Sequence, residues 1–404
     1  MEVYLDNSAT TRCSDKVRAY MEELYDRAWG NPSSMHNIGV TAERELRKAR
    51  QIIARTLKVN DKDLIFTSGG TEADNLALFG TALNKSNLHR GRHIISTRIE
   101  HPAVLAPLKE LEARGYEVTL LNVDKQGIVD VDELREALRE DTILVSVMYV
   151  NNEIGSVQPI SKLSEAVKKK SPHALFHCDA VQAYGKYRIN PKKEGIDLLS
   201  VSAHKLHGPK GTGFLYVSEK AKLDPYLFGG GQQRGMRSGT ENVQGIGGMA
   251  EAARLSYDNL EEDVQRLYGL KEYFVEEMLK TEGVAGINGV RYGVFDTETE
   301  LENSGISREA IRQSAPQIVS VSFEKVRAEV LLHALEERGI YVSAGSACSS
   351  NKPAVSETLK AIGLEKKYTE STVRFSFSRE TKKEELEYSV SQLREILPVL
   401  GRYV

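Results

Sequence analysis

Residues 143–178 decide the fold, because they contain a strand, a helix and a second strand in succession. The first apolar run is ILVSV at 143–147, the helical pattern ISKLSEAVKKK follows at 160–170, and the second apolar run is LFHC at 175–178. Strands that alternate with helices are typical of βαβ units, which build a mainly parallel sheet. We therefore predict an α/β fold.

The same alternation extends to both sides of this stretch. Further apolar runs lie at residues 64–67, 93–96, 117–121, 197–201 and 213–217, and helical patterns lie at 102–114 and 131–139. Residues 41–57 carry apolar side chains at helical spacing before the first of these strands. Seven candidate strands predict one large unit with a mainly parallel seven-stranded sheet.

A second, smaller unit is indicated after the glycine-rich loops at 229–231 and 245–248. A long helical pattern at about 246–279 is followed by apolar runs at 318–323 and 373–377 and by helical patterns at 326–338 and 382–397. We predict a large domain over residues 15–259 and a small α+β domain built from residues 1–14 and 260–404. Residues 290–317 are polar and lack a clear period, so we expect a surface elaboration there.

Charge and composition argue against several classes of protein. The chain has 54 Lys and Arg against 57 Asp and Glu, and its net charge of -3 argues against a nucleic-acid binder. No apolar run is long enough to span a bilayer, and MEVYLDNSATT at the start lacks the basic and apolar regions of a signal peptide. We therefore expect no membrane and no nucleic acid as partner.

The three cysteines have no paired spacing, which predicts neither a disulfide framework nor a zinc site. This pattern fits a reducing cytoplasm, and no metal is expected. Cys348 lies in SAGSACSSN at 343–351, where small residues would leave a nucleophile exposed and free to move. The alternative is an inert surface cysteine. Cys178 falls in a strand pattern and is expected in the core, and Cys13 lies in a polar turn.

Lys205 follows a strand and precedes a glycine-rich turn in SVSAHKLHGPKG at 200–211. A lysine amine in a desolvated site can form a Schiff base with an aldehyde. Ser202 and His204 flank it and could donate hydrogen bonds to a phosphate. The alternative, a lysine that extends from a strand-end loop to water, is favoured on local sequence alone.

A strand runs into small residues and then into a helix in FTSGGTEADN at 66–75. Backbone N–H groups at such a helix start can bind an anion, Thr71 adds a hydroxyl, and glycine allows close approach. The segment is neither the GxxxxGK[ST] phosphate loop nor GxGxxG. A capped helix start without a ligand is an equally good interpretation of this segment alone.

Two further polar residues follow apolar strands, where open α/β sheets bind ligands. Asp179 in FHCDAVQ at 176–182 could keep a pyridine nitrogen protonated, and His101 in EHP at 100–102 could stack on an aromatic cofactor or move a proton. Arg374 in VRFSFS at 373–378 could bind a substrate carboxylate. An ion pair or a helix cap is the commoner role of each residue type, but one mechanism requires all these residues together.

Taken in order, these segments resemble the cysteine desulfurases of the NifS/IscS type, in the class V aminotransferase superfamily. The matching segments cover nearly the whole chain. They are YLDNSATT (4–11), GNPSS (30–34) with His36, SGGT (68–71), EHP (100–102), VNNEIG (150–155), HCDAVQ (177–182), HK (204–205), RSGT (237–240) and SAC (346–348).

The resemblance implies a homodimeric pyridoxal 5'-phosphate (PLP) enzyme of fold type I, with a large and a small domain. Lys205 would hold the cofactor aldehyde, Asp179 would pair with the pyridine nitrogen, Gln182 would contact the ring hydroxyl, and His101 would stack on the ring and assist proton transfer. The remaining residues implied for the cofactor are Gly70, Thr71, Ser202 and His204 around the phosphate, Thr240 from the partner subunit, and Asn152.

The resemblance also implies the substrate and the product. Asn152 and Arg374, with Asn7 nearby, would hold the carboxylate of L-cysteine. Cys348 would take the sulfur as a persulfide, L-alanine would leave, and an acceptor protein in iron–sulfur cluster assembly or a thiolation pathway would receive the sulfur. A selenocysteine lyase or a desulfinase on the same fold is an alternative, and a non-catalytic scaffold protein is another.

This chain departs from the family pattern at three places. Residues 290–317 are longer than the usual linker, residues 351–356 match no one subtype, and Gly70 replaces a common alanine.

Overall fold

The computed structural model describes residues 1–290, 308–344 and 356–402, and within them seven strands form one central sheet. The strands of the described residues are β1 Val3–Tyr4, β2 Leu64–Thr67, β3 His93–Thr97, β4 Glu117–Leu121, β5 Thr142–Ser146, β6 Leu175–Asp179, β7 Leu198–Ser202, β8 Gly213–Val217, β9 Val284–Asn288, β10 Ile318–Phe323, β11 Ile340–Tyr341 and β12 Thr372–Ser376. The strand order in the central sheet is β2-β8-β7-β6-β5-β3-β4.

The central sheet is parallel except at β8, which runs antiparallel to both of its neighbours. The link from β7 to β8, residues 203–212, is too short for a crossover helix, so the chain must turn back on itself. All five residues of β5, of β6 and of β7 are buried, as expected for strands covered by helices on both faces. The prediction of an α/β fold with a mainly parallel seven-stranded sheet is confirmed.

Helices cover both faces of this sheet. The helices of the described residues are α1 Asp15–Arg27, α2 Asn37–Leu57, α3 Gly70–Leu83, α4 Lys85–Leu88, α5 Pro102–Ala113, α6 Val131–Ala137, α7 Ile160–Lys170, α8 Pro191–Glu194, α9 Val243–Asp258, α10 Leu260–Leu279, α11 Arg308–Arg312, α12 Ala328–Glu336, α13 Glu357–Ala361, α14 Lys366–Thr369 and α15 Lys383–Leu400. The single helical pattern predicted at 246–279 is interrupted at Asn259, whose backbone is not helical (φ −120°, ψ 22°). Asparagine favours such breaks because its side chain competes for backbone hydrogen bonds.

A second sheet, in the order β12-β10-β9, is antiparallel throughout. It shares a hydrophobic cluster with α10, α12 and α15, separate from the clusters around the large sheet. The predicted domain limits, 15–259 against 1–14 with 260–404, stay a prediction. Of the expected elaboration at 290–317, residues 291–307 lie outside the described residues, and α11 occupies part of the rest.

The first residues of the chain run from a separate two-stranded sheet, β1-β11, to the large sheet. Val3 and Tyr4 pair in parallel with Ile340 and Tyr341. A few residues later, the Thr11 amide donates to the carbonyl of His204, at 2.9 Å, just beyond the end of β7. The segment between them, residues 5–10, therefore runs past the carboxyl ends of the large sheet's strands.

Two classes of feature are absent from the part of the chain that the structure describes. None of its helices is long and apolar enough to cross a membrane. None of its clusters of His, Cys, Asp and Glu is suited to hold a metal ion.

Candidate active site

A cavity of about 320 Å³ opens at the carboxyl ends of the parallel strands. It brings together nine of the ten residues expected to contact the cofactor, which come from distant parts of the sequence. These nine are Gly70, Thr71, His101, Asn152, Asp179, Gln182, Ser202, His204 and Lys205. Their individual roles stay predictions.

Lys205 lies in a 3₁₀ turn, Ala203–Lys205, directly after β7. Its Nζ donates to the carbonyl oxygen of Ala9 at 2.7 Å and to that of Ser8. Its own carbonyl accepts a hydrogen bond from Nζ of Lys186 at 2.7 Å. The amine is thus held at the cavity wall by main-chain carbonyls of the N-terminal segment, and not extended into water.

Asp179 is the last residue of β6 and is buried. Its Oδ1 accepts a hydrogen bond from the Val181 amide at 2.9 Å. Burial raises the pKa of the Asp179 carboxyl, while His101, the Val181 amide and the charge of Lys205 act in the opposite direction. A positively charged ring nitrogen beside this acid would favour its ionised form in the same way.

His101 is the N-cap residue of α5, and its Nδ1 accepts a hydrogen bond from the Ala103 amide at 3.1 Å. Burial lowers the pKa of His101, and Lys205 lowers it further against the pull of Asp179. A neutral ring that accepts at Nδ1 carries its proton on Nε2. His101 therefore serves as a helix cap, as the simpler interpretation held, and also lines the cavity.

The expected phosphate end of the cavity is built from the start of α3 and the end of β7. Gly69 caps α3 without a side chain, so the first amides of this 14-residue helix face the cavity uncapped. Nδ1 of His204 lies 3.1 Å from Oγ1 of Thr10, and burial together with Lys205 lowers the pKa of His204 to about 4. A neutral His204 can bind a phosphate only as a hydrogen-bond donor or acceptor.

Three of the predicted site residues lie outside the lining of this cavity. Arg374 is buried and donates from NH2 to Asp6 Oδ1 and from NH1 to the Asn152 carbonyl, both at 2.8 Å. Asn7 donates to the carbonyl of Ser376 at 2.9 Å and fixes the N-terminal segment to β12. Thr240 is exposed on the loop before α9. A fourth, Cys348, lies outside the described residues.

Sequence reasoning missed two buried acids at this site. Asp74 on α3 lines the cavity. It belongs to the segment FTSGGTEADN, but no role was predicted for it. The signal was an acid on an otherwise largely apolar helix face. Glu100 precedes His101, and its Oε1 accepts from the Met148 amide at 2.9 Å beside the cavity.

The comparison with known proteins identifies the family. The sequence profile of aminotransferase class V matches residues 3–291 and 296–388. The chain belongs to this family. Among its relatives are a protein of Bacillus subtilis named putative cysteine desulfurase IscS 1 (42% identical, covering 98% of each chain) and cysteine desulfurase IscS of Methanosarcina thermophila (41% identical, covering 98% of this chain and 92% of the other).

The fold of the chain agrees with membership of this family. A solved NifS-like protein superposes with a TM-score of 0.87 at 35% identity, and the match covers 99% of this chain and 100% of the other. The expected resemblance to the cysteine desulfurases is confirmed.

The family depends on PLP, and the cavity has the groups that this cofactor requires. An amine for the aldehyde, an acid for the pyridine nitrogen, a ring to stack and an uncapped helix start for the phosphate all lie on its wall. The residues present therefore fit the cofactor predicted from the sequence.

Proposed function

We propose that this protein is a cysteine desulfurase that converts L-cysteine to L-alanine and transfers the sulfur to Cys348 as a persulfide. One observation supports the proposal most directly: Lys205, Asp179 and His101 line one cavity in a chain related to proteins named cysteine desulfurase over nearly its full length. In the reaction the C–S bond of the substrate breaks, an S–S bond to Cys348 forms, and the substrate carbon gains a proton.

PLP, when bound, supplies an electron sink for the negative charge that develops on the substrate when its α-proton is removed. The chain's own groups must then hold and move protons. With PLP bound, the carboxylate of Asp179 would keep the ring nitrogen protonated. Nζ of Lys205 would take the α-proton of cysteine and would return a proton to the product. His101 would stack on the ring, and its Nε2–H would donate to the substrate.

Arg374 and Asn152 would hold the substrate carboxylate, with Asn7 nearby. Nε of Arg374 is buried and is without a hydrogen-bond partner among the described residues, so its N–H is available to a ligand. Its NH2 is paired with Asp6. A bidentate contact to the substrate would therefore compete with the Asp6 carboxylate for the guanidinium.

The working unit would be a homodimer in which Thr240 of one subunit reaches the phosphate site of the other. Large apolar side chains support this arrangement, because they are exposed on the segment that precedes α2 and on the segment that precedes α9. Met35 is 97% exposed, Phe228 is 80% exposed and Trp29 is 64% exposed. Large apolar side chains that are exposed in one subunit are candidates for burial against a second copy.

We propose a cytoplasmic location and a sulfur-acceptor protein as the partner of the persulfide. Relatives that carry the name IscS support a role in iron–sulfur cluster assembly or in thiolation.

The proposal is tested by a pair of variants of the purified holoenzyme. Lys205→Ala should lose the yellow colour of the bound cofactor, because Lys205 is the only lysine among the described residues that line the cavity. Cys348→Ser should keep the colour and bind cysteine but form no persulfide. Cys13→Ser is the matched control and should form persulfide at the parental rate. A fully yellow Lys205→Ala protein, or parental sulfur transfer by Cys348→Ser, would contradict the assignment.

A further inference from the structure

Lys186 is a lysine beside the candidate active site that the proposed reaction does not use. It lies in the link between β6 and α8, and its Nζ donates to the main-chain carbonyl of Lys205 at 2.7 Å. A hydrogen bond from a charged amine is stronger than one between neutral groups. The lysine expected to hold the cofactor therefore has a second lysine bound to its main chain.

The backbone around Lys186 folds back onto the turn that carries Lys205. The Lys186 amide donates to the Ala183 carbonyl at 2.9 Å. Gly185 has a φ of +80°, and a Cβ there would lie 3.5 Å from Cβ of Leu206, the residue after Lys205. The left-handed conformation favours glycine, and the contact with Leu206 places the Lys186 side chain within reach of the Lys205 carbonyl.

Two contacts join the chain after Asp179 to the chain around Lys205. Near Asp179, the Ala180 amide donates to the Ser200 carbonyl at 3.0 Å, where β6 pairs with β7. Farther along, Nζ of Lys186 reaches the Lys205 carbonyl. One segment thus begins at the acid expected to pair with the pyridine nitrogen and ends on the lysine expected to hold the aldehyde. A rigid planar ring requires a fixed distance between these two groups, and the contact made by Lys186 helps to fix it.

A second, small cavity of about 30 Å³ lies against Lys186. The charged and titratable side chains on its wall are Lys186, Lys205, His207, Asp263 on α10 and Arg379 after β12. Burial, together with the charges of Lys205 and Arg379, lowers the pKa of Lys186 to about 7. An amine donates in both of its protonation states, so the contact with the Lys205 carbonyl persists on either side of this pKa.

We propose that Lys186 is a positioning residue for Lys205: by donating to the Lys205 carbonyl, it holds the turn Ala203–Lys205 so that the Lys205 amine meets the cofactor aldehyde. The inference rests on the proposed role of Lys205. Nζ of Lys205 is held at the cavity wall by the carbonyls of Ser8 and Ala9, and Lys186 holds the main chain of the same residue. Both ends of the Lys205 side chain are therefore fixed before the cofactor binds.

The rate at which the cofactor-free protein becomes yellow with added PLP tests this role. Lys186→Met keeps most of the apolar stem and removes the donor. It should slow the colour change and weaken PLP binding about tenfold each, because a charged hydrogen bond is lost. Lys186→Arg keeps a donor and should recover most of both. If Lys186→Met does not fold, Lys186→Gln, whose amide is one bond too short, takes its place with the same expectation.

Lys271→Met is the matched control. Lys271 on α10 is fully buried, and its Nζ donates to Oγ of Ser314 at 2.6 Å and to the Ala315 carbonyl at 2.7 Å. It lies outside the lining of both cavities. The same substitution there removes a buried donor without touching Lys205, so it should lower stability in urea but keep the parental rate of the colour change. A parental rate and affinity in Lys186→Met, or an equal loss in Lys271→Met, would overturn the proposal.

The test does not depend on the proposed desulfurase activity. The colour change requires the cofactor and no cysteine, so its outcome is separate from alanine production. A protein that becomes yellow in a Lys186-dependent way but makes no alanine from cysteine would refute the proposed function and leave the role of Lys186 in place.

Discussion

Glu100 illustrates how a single buried residue shapes the site. Its Oε1 accepts from Oγ1 of Thr97 at 2.8 Å and from the Met148 amide at 2.9 Å, and so connects the end of β3 to the residues after β5. Burial raises the pKa of Glu100 to about 8, and the charge of Asp179 adds to the effect. The side chain is therefore mainly protonated at neutral pH, and it holds Met148 at the cavity wall.

This shift predicts how the Glu100→Gln variant responds to pH. The folded-state pKa is about 8 against the ordinary 4.5, so the stabilisation by this group is complete below about pH 4.5 and is lost as pH rises toward 8. Glutamine removes the titration, and the stability of the variant relative to the parent should rise across that window by ~1.4 kcal/mol for each unit of pKa difference. Urea denaturation at several pH values measures it. The Glu112→Gln variant, at an exposed position, is the control. If the stability of Glu100→Gln and that of the parental protein change with pH in parallel, the prediction is wrong.

Arg374 and Asp6 predict opposite kinetic changes. Arg374→Ala removes the proposed carboxylate ligand and should raise KM for cysteine at least about tenfold, with a smaller effect on cofactor affinity, since a charged hydrogen bond is worth about 1.5–3 kcal/mol. Asp6→Asn removes the competitor for the guanidinium and should lower KM. Steady-state alanine production measures both. An unchanged KM in Arg374→Ala would exclude this residue as the clamp.

At the scale of the element, two glycines within regular structure have contrasting surroundings. A Cβ at Gly213, the first residue of β8, would lie 2.5 Å from the Val201 carbonyl oxygen and 2.8 Å from backbone atoms of Gly69. A Cβ at Gly269, inside α10, would have no heavy atom within 4 Å among the described residues. Close packing of β8 against the start of α3 therefore requires glycine at 213, whereas α10 does not require it at 269.

Alanine substitution of the two glycines should change stability in opposite directions. Gly213→Ala should destabilise by about 1–3 kcal/mol, because backbone cannot move aside as a flexible side chain can. Gly269→Ala should stabilise by about 0.5–1 kcal/mol, because alanine has the higher helix propensity. Urea denaturation of the apoprotein compares them directly. Equal stabilities of the two variants would contradict the packing argument.

At the scale of the whole molecule, the exposed apolar residues Met35 and Phe228 predict a dimer. A charge at each position should prevent their burial against a second copy, so the double variant Met35→Glu and Phe228→Glu should sediment as a monomer. Val399→Glu is the matched control, since Val399 is exposed on α15, away from these segments. The monomeric variant should also bind PLP more weakly, because it would lack the phosphate contact that we propose for the partner's Thr240. A parental protein that sediments as a monomer would refute the prediction.

The sequence predicted the local elements well because their signals are local. The strand at 64–67, the helix at 160–170 and the strand at 213–217 begin and end where expected, since apolar runs and helical spacing are set by neighbouring residues. The break at Asn259 was missed, because one residue in a long helical pattern gives a weak signal. Lys205 and Asp179 were selected as candidates by their positions at strand ends, which is again a local property.

By itself, the sequence determined the α/β fold, the family and the set of residue types that the chemistry requires. Only the tertiary structure decided which of these residues meet: it paired Arg374 with Asp6, held Lys205 on the carbonyls of Ser8 and Ala9, and placed Asp74 and Asp179 on the wall of one cavity. The physical reason is that burial and long-range contacts decide which side chains are charged. Whether an acid keeps its proton depends on neighbours that lie a hundred or more residues away in the chain, and no local pattern records them.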